Sequence, residues 1–407
     1  MKKTLSIVLC LVLMLGLFAG CASKPADNTT PNTSAPADTK ATEPADTKTT
    51  EPAASGETTG SDEILPAFGK KASDIGVVLV VNTNLGDHAI CDLSNEGLQE
   101  AAAKYGFRTK VVELGGDVTL QVPTFTEYAE DPDWDIIITG TPNMKEALQT
   151  VAKEYPEQKF ILYDAQDDLS LPNVASLDHC QNEGAYLAGV AAALLTTSDA
   201  KLANDKKIVG FVGGGENTAL DDYLIGYIQG VHSVDEDINI LVSWIGDFKD
   251  TAKGKELAVA QANQGADVIF SVAGVAGLGT LAGCAESNVY SIGVDSDQYT
   301  VLLPTDPTTA ANICTSMYKK ANVTVSTLLS MALEGTLEWG HYEKWGLQEG
   351  VVGIATDNDN YQTIFSDEMK AQIEQVQADA TAGKLEIKSA IGMDNAELQA
   401  ILATATK

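Results

Sequence analysis

Two carboxylates, Asp295 and Asp297, follow at once on an apolar run in the stretch Val289-Tyr-Ser-Ile-Gly-Val-Asp-Ser-Asp-Gln298. Such a run has the mark of a strand buried in a parallel sheet. Open α/β sheets hold ligands just beyond the carboxyl ends of their strands. An aspartate placed there can accept hydrogen bonds from two neighbouring hydroxyls of one small molecule; the same residue can instead cap a turn. No catalytic constellation stands beside it. There is no Gly-x-Ser-x-Gly, no histidine triad, and no metal-ligand spacing among His88, His179, His232 and His341. Gly213-Gly-Gly215 could cradle an anion ahead of a helix, but the Lys-Ser/Thr of a phosphate loop is lacking, so it reads as a tight turn. Cys91, Cys180, Cys284 and Cys314 show no CxxC and no framework spacing, and free thiols are expected. This chemistry holds a molecule rather than converting it, and calls for no cofactor.

The elements that must position Asp295 are legible as alternating apolar runs and helical stripes. Residues 75–81 form a continuous apolar run, a strand buried on both faces. Leu98, Ala101, Ala102 and Tyr105 recur at helical spacing, and strands are read at Val111 and Val112, at 134–139 and at 160–163. A second helical stripe runs from Met144 to Tyr155 and stops at Pro156. The pattern then begins again. A small-residue helix covers 184–193, and strands are expected at 208–212, 238–245 and 266–271. Helices are expected over 253–264 and 275–286, with a stripe of Leu224, Tyr227, Ile228 and Val231 before them. Beyond Gln298, a strand is read at 310–314, a helix through Ala321, Val325, Leu328 and Ala332, a strand at 351–355 and a helix through Met369, Ile373 and Val376. Two βα series of this kind predict an α/β protein of two doubly wound lobes, joined by several crossovers around a hinged cleft.

The ends and the charge narrow the class. The chain has 407 residues and a net charge of −31, with almost no arginine. Phosphate backbones are bound through Lys and Arg, so nucleic acid is excluded as a partner. Lys2 and Lys3 precede an apolar segment too short for an ordinary spanning helix, and Leu17-Phe18-Ala19-Gly20-Cys21 looks like a bacterial lipobox. Cys21 is the expected lipidation site, and two acyl chains would hold the protein on a membrane. Residues 22–60 are mainly Ala, Thr, Pro, Asp, Glu and Lys without an aromatic, and repeat Ala37-Asp-Thr-Lys-Ala-Thr-Glu-Pro44 as Ala45-Asp-Thr-Lys-Thr-Thr-Glu-Pro52. Such a segment cannot offset its ordering entropy and reads as a disordered spacer.

The body, residues 73–388, resembles the basic membrane protein (Bmp) family of ABC-transporter substrate-binding lipoproteins, which includes the purine nucleoside receptor A proteins. The resemblance is carried by Glu183-Gly-Ala-Tyr-Leu-Ala-Gly189, Gly210-Phe-Val-Gly-Gly214, Gly246-Asp-Phe-Lys-Asp250, Gly265-Ala-Asp-Val-Ile269, Gly293-Val-Asp-Ser-Asp-Gln298 and Thr315-Ser-Met-Tyr-Lys319. No one of these words is specific; their order along the body is. The resemblance implies a type I periplasmic-binding-protein fold with a nucleoside-like ligand between the lobes and an ABC permease as partner. It implies a monomer on the outer face of the cytoplasmic membrane.

It also implies roles. Asp295 would bind ribose hydroxyls, with Lys319 beside it orienting the carboxylate and donating to the sugar. Phe248 would stack on the base, Asp164 would face the base edge, and Asp87 would lie in the first ligand loop. Each has a plainer reading: Phe248 as core, Lys319 as a solvated helix residue, Asp164 and Asp87 as turn caps. The family's Ser-Phe-Asn of the first loop is Ala89-Ile90-Cys91 here. Ile90 cannot stack as a ring, and Cys91 is a poor substitute for an amide. A free sugar or another small polar metabolite is therefore an alternative ligand, and a sensor uncoupled from transport an alternative role. The expected layout is a signal peptide at 1–20, a tether at 21–72, a first lobe of 73–178 with about 295–330, a second lobe of 179–294 with about 331–388, and an extension at 389–407.

Overall fold

The computed structural model describes residues 64–406. The expected signal peptide, Cys21 and the expected tether as far as residue 63 lie outside the described residues. The described residues begin with a hairpin of β1 (Ile64–Leu65) and β2 (Lys70–Lys71). Leu65 and Phe68 pack on the first core, and Lys70 Nζ lies 2.7 Å from Asp135 Oδ1. The expected tether is therefore too long at its end, because its last residues carry two apolar anchors.

The first series runs β3 (Gly76–Val81), α1 (Ile90–Tyr105), β4 (Arg108–Glu113), α2 (Gln121–Glu130), β5 (Ile136–Gly140), α3 (Lys145–Glu154), β6 (Lys159–Tyr163) and β7 (Val174–His179). The second runs α4 (Gln181–Thr196), β8 (Ile208–Gly213), α5 (Thr218–Val234), β9 (Asn239–Trp244), α6 (Thr251–Gln264), β10 (Val268–Val272), α7 (Gly274–Ser287), β11 (Tyr290–Asp295), α8 (Gln298–Leu302), α9 (Pro307–Ala310) and β12 (Ile313–Lys319). Then come α10 (Ala321–Glu334), β13 (Tyr342–Trp345), β14 (Val352–Ile354), α11 (Asp359–Ile364), α12 (Asp367–Thr381) and α13 (Asn395–Leu402). One sheet has the order β13-β7-β6-β5-β3-β4 and the other β14-β12-β11-β10-β8-β9. Strand for strand the two orders correspond, so each lobe repeats the same α/β plan. All pairings within these sheets are parallel except β12 with β14, an antiparallel edge.

Burial explains the strands. Every residue of β3, β5, β7 and β10 is buried, as a strand covered by helices on both faces requires. The helices pack through small residues. A side chain at Gly226 would strike Asn182 O of α4, and one at Gly230 would strike Tyr186 O. Those glycines let the α4 and α5 backbones meet over the second core, which the alanines of α4 then fill.

The chain does not leave a lobe where the sequence reading placed the boundaries. After β7 it crosses at Cys180, and α4 joins the second core. After β12 it returns at Lys320, and Val325, Leu328, Leu329 and Leu333 of α10 fill the first core. It crosses finally between β13 and β14. Residues 295–319 therefore belong to the second lobe rather than the first, and 331–345 to the first rather than the second. The expected strand at 310–314 moves: Ala310 ends α9, and the strand is Ile313–Lys319. The C-terminal extension is a part of the second lobe. Asp222 accepts hydrogen bonds from Ser389 Oγ and Ala390 N, and Ile240 N donates to Ala405 O. Cys91, Cys180, Cys284 and Cys314 stand as free thiols.

Candidate functional site

A cavity of about 550 Å³ lies between the lobes, within the range of about 300–1,000 Å³ usual for small-molecule sites. Its walls come from the carboxyl ends of both sheets. Asn82 and Thr83 follow β3, Thr141 follows β5 and Asp164 follows β6; Phe248 follows β9, Ala273 follows β10, and Asp295 and Lys319 end β11 and β12. Lys249 Nζ, after β9, donates to Gly115 O, after β4, at 3.0 Å. Ser296 Oγ, after β11, donates to His88 O, ahead of α1, at 2.8 Å. The lobes thus touch across the mouth of the cleft.

Asp164 and Asp295 occupy corresponding places, each with positive φ, 56° and 65°, at the end of a strand. Aspartate is among the few residues that enter this region readily, so the sharp turn aims a carboxylate inward without a glycine. The two environments differ. Both oxygens of Asp164 receive Lys319 Nζ, at 2.9 and 3.1 Å, and Oδ1 also lies 3.0 Å from His179 Nδ1. Burial alone would raise the Asp164 carboxyl, but the Lys319 charge and the His179 hydrogen bond hold it down to about 2. Burial lowers His179, which is therefore neutral; its Nδ1 donates to Asp164 and its Nε2 accepts from Thr324 Oγ1, 2.9 Å away. His179 and Lys319 end β7 and β12, the strands at which the chain crosses between lobes. One carboxylate at the floor of the cleft therefore ties two of the three crossings together.

Asp295 lacks such a partner. It is partly exposed to the cavity, and Tyr223 Oη donates to its Oδ1 at 3.4 Å. Burial pushes its carboxyl up to about 6, with Lys319 opposing and Asp164 and Asp87 adding to the rise. Tyr223 also carries the Lys319 ammonium over its ring, 5.3 Å from the centroid. The sequence reading missed this residue. Tyr223 falls three after Leu220 and four before Tyr227, spacing that reads only as a core stripe. Tyr223→Phe is expected to cost roughly threefold to tenfold in ligand affinity at neutral pH. It should also move the pH at which affinity is half lost upward, because a hydrogen bond to the ionised form disappears. Calorimetry across pH checks both, and an unmoved midpoint would remove Tyr223 from the site.

The remaining expected residues divide. Lys319 lies beside Asp295 as expected, yet its hydrogen bonds go to Asp164. Asp164 is not free to face a base edge while it holds both crossings. Asp87 lines the cavity, but its oxygens accept the amides of Ala89, Cys91 and Asp92, so the carboxylate serves to start α1. Cys91 is a buried thiol, pushed up to about 12 chiefly by burial, with its sulfur 3.3 Å from Thr83 Oγ1. Ile90 lines the cavity and packs on the first core. Phe248 is exposed, at 37 %, and not core. A Cβ at Gly214 would lie 2.5 Å from the Phe248 ring, and one at Gly213 would strike Trp244. The Gly213-Gly-Gly215 stretch has no positive φ at any of its residues. It is glycine-rich because two aromatic rings lie on its backbone, not because the turn demands it.

Two parallel-sheet lobes, joined by three crossings around a cleft walled by strand ends, define a type I periplasmic solute-binding fold. A solute-binding protein of an ABC transporter system from Aeropyrum pernix superimposes with a TM-score of 0.71 at 22 % identity, covering 81 % of this chain and 98 % of that one. A solute-binding protein from Burkholderia graminis, solved with D-arabinose, gives 0.54 at 16 %, covering 73 % and 100 %. These likenesses speak for the fold alone.

The family follows from sequence. The family model described as ABC transporter substrate-binding protein PnrA-like (Bmp) matches residues 75–386, and the chain belongs to this family. It is 26 % identical to the ABC transporter nucleoside-binding protein BmpA of Lactococcus lactis, over 79 % of this chain and 91 % of that protein. It is 33 % identical to basic membrane protein A1 of Borrelia garinii, over 68 % and 79 %, and 28 % identical to the CD4+ T-cell-stimulating antigen of Listeria monocytogenes, over 81 % and 92 %. The protein is a substrate-binding protein of the ABC-transporter type.

Proposed function

We propose that the protein captures a nucleoside, a purine nucleoside foremost, between its lobes and hands it to the permease of an ABC importer. The polarity of the cavity carries this reading. At the β11–β12 end stand Asp295, Tyr223 and Lys319, a carboxylate able to accept two sugar hydroxyls beside a hydroxyl and an ammonium. Toward β8, β9 and β10 stand the open face of Phe248 and the apolar side chains of Leu220 and Val275, a slot for a flat ring. Asp164 is neutralised by Lys319, while Asp295 and Asp87 line the cavity with no ion pair among the described residues, and carboxylates there disfavour a phosphorylated ligand. The name of the Lactococcus lactis relative supports the same ligand class. No catalytic role is assigned.

Delivery requires the protein to remain at the membrane. Cys21 would carry the acyl chains on the extracytoplasmic side, and the segment after it would give the body reach. Among the described residues no helix is long and apolar enough to cross a membrane.

Calorimetry with nucleosides, free bases and free sugars tests the ligand class. Phe248→Ala is expected to weaken nucleosides roughly tenfold and free sugars hardly at all, since a stacking face serves only the base. Tight binding of a free sugar alone, with Phe248→Ala silent, would replace the nucleoside reading by the sugar reading that Ile90 and Cys91 favour.

A further inference from the structure

We propose that Ser296 and Lys249 are latches. Each follows directly on a residue that grips the solute, each ties the second lobe to the first once the cleft is shut, and together they set how long the solute stays. The inference rests on solute capture between the lobes and not on the solute being a nucleoside.

The same pattern occurs in two loops of the second lobe. Asp295 lines the cavity, and the next residue, Ser296, donates through Oγ to His88 O of the first lobe at 2.8 Å. Phe248 lines the cavity, and the next residue, Lys249, donates through Nζ to Gly115 O of the first lobe at 3.0 Å. Both acceptors are backbone carbonyls at sharp turns outside any helix or strand, with φ of 53° at His88 and 61° at Gly115. Both turns are pinned within the first lobe. His88 N donates to Asp92 Oδ2 at 2.8 Å, and Gly115 N and Gly116 N donate to Thr83 O and Asn82 O at 3.1 and 2.7 Å. Acceptors held in place beforehand lose little freedom when the lobes meet. A Cβ at Gly116 would lie 2.7 Å from Lys249 Nζ, so the glycine leaves the space that the ammonium fills.

The turn at Asp295 joins grip to latch. Ser296 N donates to Val294 O at 2.8 Å around Asp295, whose φ is 65°. A bond spanning one residue of positive φ makes a γ-turn of the rare, strained kind. Strain of this sort persists where the surroundings over-determine it, and it gathers at ligand clamps. Here the chain beyond the turn is held to its own lobe: Gln298 N donates to Ser316 Oγ at 3.1 Å, and Asn358 Nδ2 donates to Asp297 Oδ1 at 3.0 Å. The second loop is held likewise, with Ala276 N donating to Phe248 O at 3.0 Å and Lys249 N to Asp247 Oδ1 at 2.7 Å. Adjacent residues on a fixed turn cannot move independently, so the solute that seats Asp295 or Phe248 also seats the neighbouring donor. While the cleft is open, both donors and both carbonyls are hydrated. Losing a latch therefore speeds reopening and leaves capture unchanged.

The test is rapid-mixing kinetics of inosine and adenosine on the full chain. Ser296→Ala and Lys249→Met should each raise the dissociation rate roughly threefold, and the double variant roughly tenfold. Association rates should stay within about twofold of wild type, and the factor should be the same for both nucleosides. Neither Ser296 nor His88 lines the cavity, so Ser296→Ala removes no ligand contact, and a merely structural loss would lower the binding amplitude and not the rate of release. An unchanged dissociation rate in Ser296→Ala, or slower association with release unaltered, would overturn the proposal. A Lys249→Met factor that differs between inosine and adenosine would make Lys249 a ligand contact and overturn the pairing. If wild type binds neither nucleoside, the nucleoside reading fails, and small-angle scattering of the unliganded chain decides the latches alone. A larger radius of gyration in the double variant than in wild type would then support them, and equal radii would overturn them.

Discussion

Asp295→Ala is expected to raise the Kd of the bound nucleoside at least about a hundredfold, the loss of two hydrogen bonds to an ionised acceptor. The unliganded protein should be no less stable. The carboxyl sits where burial pushes it up to about 6, so its ionised form is disfavoured in the folded chain, and alanine relieves that. The raised value also fixes a pH dependence. Above about pH 6 the carboxylate is ionised and accepts hydroxyls; below it the proton competes, and affinity should fall as pH drops from 6 toward 4. Because the folded carboxyl titrates above the unfolded one, its contribution to folding stability is most favourable at low pH and is lost as pH rises through about 6. Binding and stability should thus move in opposite directions over the same interval. Calorimetry and thermal melts on one buffer series read both, and an affinity in Asp295→Ala equal to wild type would end the assignment.

Asp164→Ala is expected to cost about 3–5 kcal/mol of folding stability, since it strands a buried ammonium at Lys319. Lys319 and Asp164 are both nearly inaccessible to solvent at the floor of the cavity, so the ammonium left behind is poorly hydrated. The double variant Asp164→Leu with Lys319→Met should recover most of the loss, because apolar replacement of a buried pair is often neutral or better, while ligand affinity stays low. Acid should act through the same pair. The folded carboxyl is held to about 2 and an unfolded one titrates near 4, so the stabilisation is complete above about pH 4 and is lost as pH falls toward 2. Urea melts of the single and double variants decide the matter; a single variant within about 1 kcal/mol of wild type would mean that water reaches Lys319.

The sequence made most of the fold legible because parallel strands announce themselves. Residues 75–81 and 208–212 are apolar on both faces and need no partner to be recognised. β7 escaped because Ser176, Asp178 and His179 interrupt its run, although every residue in it is buried. β13 escaped because a four-residue edge strand reading Tyr-Glu-Lys-Trp has neighbours on one side only. α2 hid behind Pro123, which sits early enough in the helix to be tolerated. Asp295 and Phe248 both line the cavity, the first picked out by its place after a strand and the second by the family resemblance. The Asp164–Lys319 bond joins positions separated by 155 residues, and nothing local in either segment speaks of the other. Lobe membership failed for the same reason. α4 and α10 each follow a strand of one sheet and bury their apolar residues in the other lobe, a choice made by the partner core and not by the helix sequence.

That exchange of helices has a consequence for how the molecule comes into being. The first core stays open until α10 and β13 are made, since Val325, Leu328 and Leu329 close it, and the second waits for Tyr361, Phe365 and Ala405. A nascent chain emerging N-terminus first therefore holds no finished half until most of its length is synthesised. Contacts of long sequence separation then slow the final step. Each lobe is thus sealed by late-made segments, and truncation after β12 would leave both unfinished.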